Sequence, residues 1–240
     1  MGELSKTLGE LGERKVSYLM ELVGWVPFSE NETIICVNGI EHTEKVEPKT
    51  THGIDALYRY PCPLVNGALT FVLVSSKNQG GYSAKPSIAK KYVLDLVNTI
   101  ECFQNSDLRK NISRAYGLER KYMGVLFWLS DDGNDDSVSL INKFANEAMI
   151  DSKKGFFHCI SLIDNGKANF LFNCITYVKR SYDEYQYYYH NTGYNSSPLN
   201  RVSTGSFLPV EIVNSGLILF KAVKNQTVYL VVGTSEKYSG

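Results

Sequence analysis

Three residues in the first third of the chain have the types that metal-assisted hydrolysis requires: Glu13, Asp55 and Lys77. Asp55 lies inside a strand-like run, Thr51-His52-Gly53-Ile54-Asp55-Ala56-Leu57, where aspartate is disfavoured unless something there uses its charge. In the next such run the period of two puts Leu69, Phe71, Leu73, Ser75 and Lys77 on one face. An aspartate on one strand, with a lysine and the residue two before it on the next, suits a hard cation. Carboxylate oxygens hold the ion, the ion polarises a phosphate oxygen and acidifies a bound water, and the lysine orients or activates that water. The chemistry so assembled is hydrolysis of a phosphodiester.

Glu13 comes from a helical stretch over residues 4–24, in which Leu8, Gly12, Val16, Leu19, Met20 and Val23 share one side. Its spacing from Val16 and Met20 places it on or beside that side, so it is expected to face inward, where a carboxylate needs a cation or hydrogen-bond donors. Each residue alone has a plain reading: an ion pair for Glu13, a turn for Asp55, a strand end for Lys77. Their joint occurrence in the order α-β-β-β is what favours a site.

The elements that must position them follow from periodicity and punctuation. Extended runs are expected at Thr33 to Val37, Ile54 to Tyr60 and Ala68 to Lys77. In the second, alternation sends Ile54, Ala56, Tyr58 and Tyr60 to one face and Asp55, Leu57 and Arg59 to the other. Pro86 opens a second helix with apolar spacing Ile88, Tyr92, Val93, Leu96, Val97, Ile100, Phe103. A strand at Met123 to Leu129 follows, then the acidic stretch Asp131 to Asp136 leading into a third helix through about Met149. Phe156 to Ile163 and Ala168 to Val178 read as a hairpin turning at Asn165-Gly166. Gly216 to Val223 and Thr227 to Val232 form a closing hairpin around Lys224-Asn225-Gln226. The fold class is α/β: a central mixed sheet flanked by helices, in the order αβββαβαββ, with a β-rich C-terminal extension. The main domain is expected over residues 1–180, with a tyrosine-rich extension over 181–240 packed on it.

With 43% hydrophobic and 21% charged residues the chain has the composition of a folded globular protein. Its formal net charge of zero means that any nucleic-acid surface is a local patch. Cys36, Cys62, Cys102, Cys159 and Cys174 are odd in number, widely spaced and without a CxxC pair, which argues against a zinc site and against a disulfide framework. No signal peptide or membrane-spanning run is present, so a cytoplasmic location without membrane contact is expected.

The runs Gly9-Glu10-Leu11-Gly12-Glu13, His52-Gly53-Ile54-Asp55 and Val74-Ser75-Ser76-Lys77 resemble the PD-(D/E)xK nuclease superfamily over roughly residues 8–130. More narrowly, the wording THGIDALYRYPCPL and VLVSSKNQ is similar to the nuclease subunit of the fourth Guardian system Associated with Phage Satellites, a two-gene anti-phage system. The resemblance implies a restriction-endonuclease-like core, Mg²⁺ with Mn²⁺ as a possible substitute, and DNA cleavage that requires a second protein. It matches Asp55 to the metal-binding aspartate, Lys77 to the catalytic lysine and Glu13 to the first-helix glutamate. Ser75 stands where the second acidic ligand belongs, and a hydroxyl is a poor substitute for a carboxylate on magnesium. Either Glu13 supplies that charge, which is the reading favoured, or Asp95 or Glu101 of the second helix does, or catalysis is lost.

Around this site His52 is a candidate phosphate contact, and Lys85, Lys90 and Lys91 are candidates to steer a nucleic-acid backbone. Tyr182, Tyr185, Tyr187, Tyr188, Tyr189 and Tyr194 suit base stacking, a protein interface or core packing, of which an interface is favoured. The partners expected are DNA, the second protein of the system and either a second copy or a hetero-oligomer. The competing reading is a catalytically degenerate nuclease-fold scaffold that binds a partner protein or nucleic acid.

Overall fold

The computed structural model describes residues 2–43, 46–82, 85–112, 118–137, 139–140, 157–195 and 201–235. Helix α1 (Gly2–Leu22) leads into β1 (Ser29–Ile35), β2 (Thr51–Pro61) and β3 (Ala68–Gln79). After α2 (Pro86–Asn105) and the short α3 (Asp107–Ile112) come β4 (Glu119–Ser130), β5 (Cys159–Ile163) and α4 (Asn165–Ser181). These strands form one sheet in the order β1-β2-β3-β4-β5. β1, β2 and β3 pair antiparallel, while β3-β4 and β4-β5 pair parallel, so the sheet is mixed as expected.

Two apolar clusters sandwich this sheet. Val72, Val74, Val125 and Phe127 face α1 and α4, meeting Val16, Leu19, Met20, Leu171 and Ile175. Leu57, Phe71, Leu73, Leu126 and Trp128 face α2, meeting Leu96, Ile100 and Phe103. β3 and β4 are buried on both faces, as their unbroken apolar runs require.

α1 ends where the sequence says it should. Gly24 has φ +78°, its N–H donates to Glu21 O at 3.0 Å and the Trp25 N–H to Met20 O at 2.8 Å, the paired bonds of a Schellman stop. A Cβ on Gly24 would lie 2.1 Å from the Ser206 carbonyl oxygen. Gly24→Ala therefore combines left-handed strain with a backbone clash and is expected to cost on the order of 3 kcal/mol, read as a lower denaturant midpoint at unchanged slope.

Residues 168–178 are helix, not the second strand of a hairpin. Asp164 caps α4, its Oδ1 accepting the Lys167 N–H at 2.9 Å. Asn165 is held by Ser130, its Oδ1 taking the Ser130 N–H at 2.9 Å and its Nδ2 donating to the Ser130 carbonyl at 2.9 Å. Those bonds commit Asn165-Gly166 to a first helical turn, and Leu171, Ile175 and Val178 then bury at helical spacing despite their β-branched neighbours. β5 pairs in parallel with β4 instead. Of the expected third helix, residues 141–149 lie outside the described residues.

A second, antiparallel sheet follows, in the order β7-β6-β8-β9, from β6 (Glu184–Tyr188), β7 (Thr204–Gly205), β8 (Leu217–Lys224) and β9 (Thr227–Thr234). Its inner face joins the α1 side of the core through Tyr187, Ile218, Phe220 and Ala222. The tyrosine run is split by this packing. Tyr187 and Tyr189 are 1% exposed, with hydroxyls donating to Leu22 O at 2.8 Å and Phe207 O at 2.7 Å, so the two are core rather than interface. The edge strand β9 presents Val228, Leu230 and Val232 more than half exposed.

Candidate active site

β2 and β3 part company at Asp55. Their ladder runs from Pro61 and Leu69 to Ala56 and Val74 and goes no further. Beyond it β2 stays with β1 down to Thr51, while β3 stays with β4 up to Gln79. The strands thus form a fork with Asp55 at its apex. Asp55 Oδ2 accepts the Ser76 N–H across the gap at 2.6 Å, which fixes the carboxylate in place of the missing ladder bond.

The fork also changes which way side chains point. Ile54 packs with Leu57 on the α2 side, whereas Ala56, Tyr58 and Tyr60 pack on the α1 side. The alternation expected for β2 is therefore corrected at one step: Asp55 and Ala56 both face α1. On β1, Asn31 sits between the Glu30–Ala56 and Glu32–Ile54 pairs, opposite Asp55, with φ +55°. This is a bulge-like irregularity of the kind that re-aims one side chain.

Two grooves open on either side of the fork. The α1-side groove, about 310 Å³, is lined by Glu13, Arg14, Ser17, Glu30, Asp55 and Ser76. Three carboxylates against one guanidinium make it cation-seeking. Gly12 lets α1 approach that closely, since a Cβ there would sit 2.3 Å from Asn78 Cβ on β3. One turn further along α1, Lys15 reaches Asp131 Oδ1 at 2.5 Å, and Asp131 Oδ2 also accepts from Asn78 Nδ2 at 3.0 Å. The α2-side groove, about 640 Å³, is lined by Lys49, Thr51, Lys77, Lys91, Tyr92 and Asp95 among others. Lys77 Nζ lies 5.8 Å from the centre of the Tyr92 ring, and Lys49 pairs with Asp95 at 2.5 Å.

The structure thus brings Glu13 and Asp55 together and puts Lys77 on the other face of β3. Glu13 is exposed at the groove rim rather than turned inward, because Val16, Leu19, Met20 and Val23 take the buried face of α1. The hydroxyl beside Asp55 is that of Ser76; Ser75 points with Lys77 toward α2 by the parity of β3. Asp95 lines the same groove as Lys77, whereas Glu101 is engaged by Asn38 and by His42, 3.5 Å away. Lys91 lines the α2-side groove, and Lys85 and Lys90 are exposed at the start of α2. His52 is not a phosphate contact. It is 2% exposed, and burial, reinforced by the nearby Lys49 charge, holds its imidazole neutral by lowering its pKa to about 4.

Sequence reasoning missed Glu30 and Lys49. Glu30 reaches the groove only through its register opposite Ala56, and Lys49 through a connection whose path no periodicity reveals.

Residues 1–167 match the family described as the GAPS4 protein PD-(D/E)XK nuclease domain. The chain belongs to this family. The match runs from α1 through β5 into the first turn of α4, so the PD-(D/E)XK nuclease domain contains the fork and both of its grooves. No curated protein and no solved structure matches the chain.

The donor set of the α1-side groove fits a divalent ion of the hard class. The groups that line it, beside the Arg14 guanidinium, offer oxygen: carboxylates of Asp55, Glu13 and Glu30 with Ser17 and Ser76, the donor type that Mg²⁺ and Mn²⁺ take and softer metals do not prefer. Among the described residues, His, Cys, Asp or Glu ligand atoms converge within 4.8 Å of one another elsewhere, at Cys36, His42, His52 and Cys102. The wide spacing of the cysteines therefore does not argue against a zinc site, because the fold closes that spacing.

Proposed function

We propose that this chain is the metal-dependent endonuclease subunit of a bacterial anti-phage defence system, acting in the cytoplasm, and that it hydrolyses DNA phosphodiester bonds at the fork. The observation that carries the reading is Asp55 at the apex, tied to the Ser76 N–H beside a groove with three carboxylates and across the sheet from a groove where Lys49, Lys77 and Lys91 stand with Glu41, Glu47 and Asp95. Asp55 and Glu13, with Glu30, would hold Mg²⁺ or Mn²⁺. When bound, that ion supplies charge stabilisation on the phosphate and a more acidic water.

The chain's own residues supply the rest. Lys49, Lys77 and Lys91 neutralise the phosphate backbone along the α2-side groove. Lys77, on the arm of β3 that lies beyond the fork, would approach the scissile phosphate from the α2 side, across β3 from the carboxylates. The register of β3 on β4 holds Lys77, and the pairing of β2 with β1 on either side of Asp55 holds the carboxylate, each on a paired strand. The second subunit would cover the apolar edge strand β9, where Val228, Leu230 and Val232 stand exposed. Among the described residues no helix is long and apolar enough to cross a membrane.

Ser75 favours one competing reading, a nuclease-fold scaffold without catalysis, since a hydroxyl stands where the family's pattern has an acid. Plasmid nicking by the purified chain separates the two, run with Mg²⁺ or EDTA and with or without the neighbouring gene's product. Cleavage that EDTA abolishes supports the nuclease. Absence of cleavage in every combination, with partner binding intact, supports the scaffold.

A further inference from the structure

We propose that Cys36, His42, His52 and Cys102 form a structural zinc site of the Cys₂His₂ type, which fastens the β1–β2 connection to α2. The ligands come from four separate places: Cys36 just after β1, His42 within the connection, His52 in β2 and Cys102 in the last turns of α2. Their ligand atoms all lie within 4.8 Å of one another.

Four of the six distances between them match a tetrahedron's edges. With Zn–S of about 2.3 Å and Zn–N of about 2.0–2.1 Å, tetrahedral angles require about 3.8 Å between sulfurs, about 3.5 Å between sulfur and nitrogen and about 3.3 Å between nitrogens. The Cys36 and Cys102 sulfurs are 3.9 Å apart. His42 Nδ1 lies 3.3 Å from the Cys36 sulfur and 3.5 Å from the Cys102 sulfur. His42 Nδ1 and His52 Nε2 are 3.3 Å apart.

Hydrogen bonding alone does not account for this packing. A ring nitrogen has one lone pair or one proton, yet His42 Nδ1 has three close neighbours. The outer nitrogens set the tautomers. Thr99 Oγ1 donates to Asp95 O at 2.7 Å, so toward His52 Nδ1, 3.2 Å away, it acts as acceptor and takes the ring proton. His42 Nε2 faces the Glu101 carboxylate at 3.5 Å, which holds the proton on that side. Both inner nitrogens then present lone pairs to each other, an arrangement that calls for a cation between them. A carboxylate or hydroxyl behind each imidazole is also the support that metal-bound histidines receive. The Val37 N–H points to the Cys102 sulfur at 3.4 Å, where it would stabilise a thiolate.

A disulfide is not the explanation, since the two sulfurs are far beyond bonding distance and both cysteines are free. A donor set of two sulfurs and two nitrogens selects zinc over the hard ions suited to the fork. Cys102, His52 and His42 are buried, so the site is closed and structural rather than catalytic. Its place gives it a purpose: Lys49 and Thr51, which line the α2-side groove, lie on the chain between and beside the ligands His42 and His52.

The test is metal analysis of the untagged 240-residue chain, followed by replacement of the bound metal with Co²⁺. About one zinc per chain is expected, and the cobalt form should show sulfur-to-metal charge transfer and the intense d–d bands of a tetrahedral centre. Cys102→Ala and His52→Ala should lose the metal, while Cys62→Ala and Cys174→Ala, outside the cluster, should keep it. If the ligand variants fail to fold, the wild-type zinc content and cobalt spectrum still decide. A folded wild-type chain without stoichiometric metal, an octahedral cobalt spectrum, or full zinc retention in Cys102→Ala would each overturn the proposal.

Discussion

Asp55→Asn is expected to lower metal-dependent cleavage by about three orders of magnitude, equivalent to about 4 kcal/mol of transition-state stabilisation. The substitution keeps an oxygen to accept the Ser76 N–H, now 2.6 Å from Oδ2, so the fork should hold its shape. What it removes is the charge at the apex, the one carboxylate of the groove carried on the sheet's own fork. Asp55→Ala should add a stability loss of about 1 kcal/mol from the lost hydrogen bond. Comparing the two variants by cleavage rate and by denaturant midpoint separates chemistry from folding: equal loss of cleavage with unequal loss of stability is the expected pattern. Retained cleavage in Asp55→Asn would remove Asp55 from the site.

The second large effect is expected at Lys77. Lys77→Met keeps an unbranched apolar side chain of similar length but removes the charge, which lies 5.8 Å from the centre of the Tyr92 ring. If Lys77 serves the attacking water, the cleavage rate with bound DNA should fall about 10²–10⁴-fold with metal affinity unchanged. If instead it only steers the backbone, as Lys49 and Lys91 on the same groove would, affinity should weaken and its salt dependence flatten while the rate with bound DNA persists. Lys77→Arg should recover the second function better than the first, because guanidinium stays protonated and cannot take part in proton movement. The position of Lys77 across β3 from Asp55 makes this split informative.

The sequence announced the frame of this fold more fully than its site. β2 and β3 follow from alternation and β-forming residues, β4 from its apolar run, α2 from Pro86 and its apolar spacing and the end of α1 from Gly24, all local signals, while β1 begins at Ser29 rather than at the expected Thr33. α4 was hidden because its strand-forming residues are overruled by the Asp164 cap and by the Asn165 bonds to Ser130, which depend on a strand distant in sequence. Asp55 and Lys77 stood out by type, and that they lie on neighbouring strands was legible. Their facing was not: one irregular step at Asp55, opposite Asn31, turns the carboxylate toward α1, and strict alternation cannot anticipate a bulge. The metal cluster was invisible for a related reason, since Cys36 and Cys102 are joined only through the packing of α2 on the sheet.

Iron-dependent cleavage of the protein backbone would test most directly that a divalent ion sits at the fork. Fe²⁺ takes oxygen sites of the magnesium type, and with ascorbate and peroxide it cuts the chain nearest to it. The account predicts fragments ending near Glu13, Glu30, Asp55 and Ser76, suppressed by excess Mg²⁺ and absent in Asp55→Asn. No cuts near these residues, or cuts there that survive Asp55→Asn and excess Mg²⁺, would contradict it.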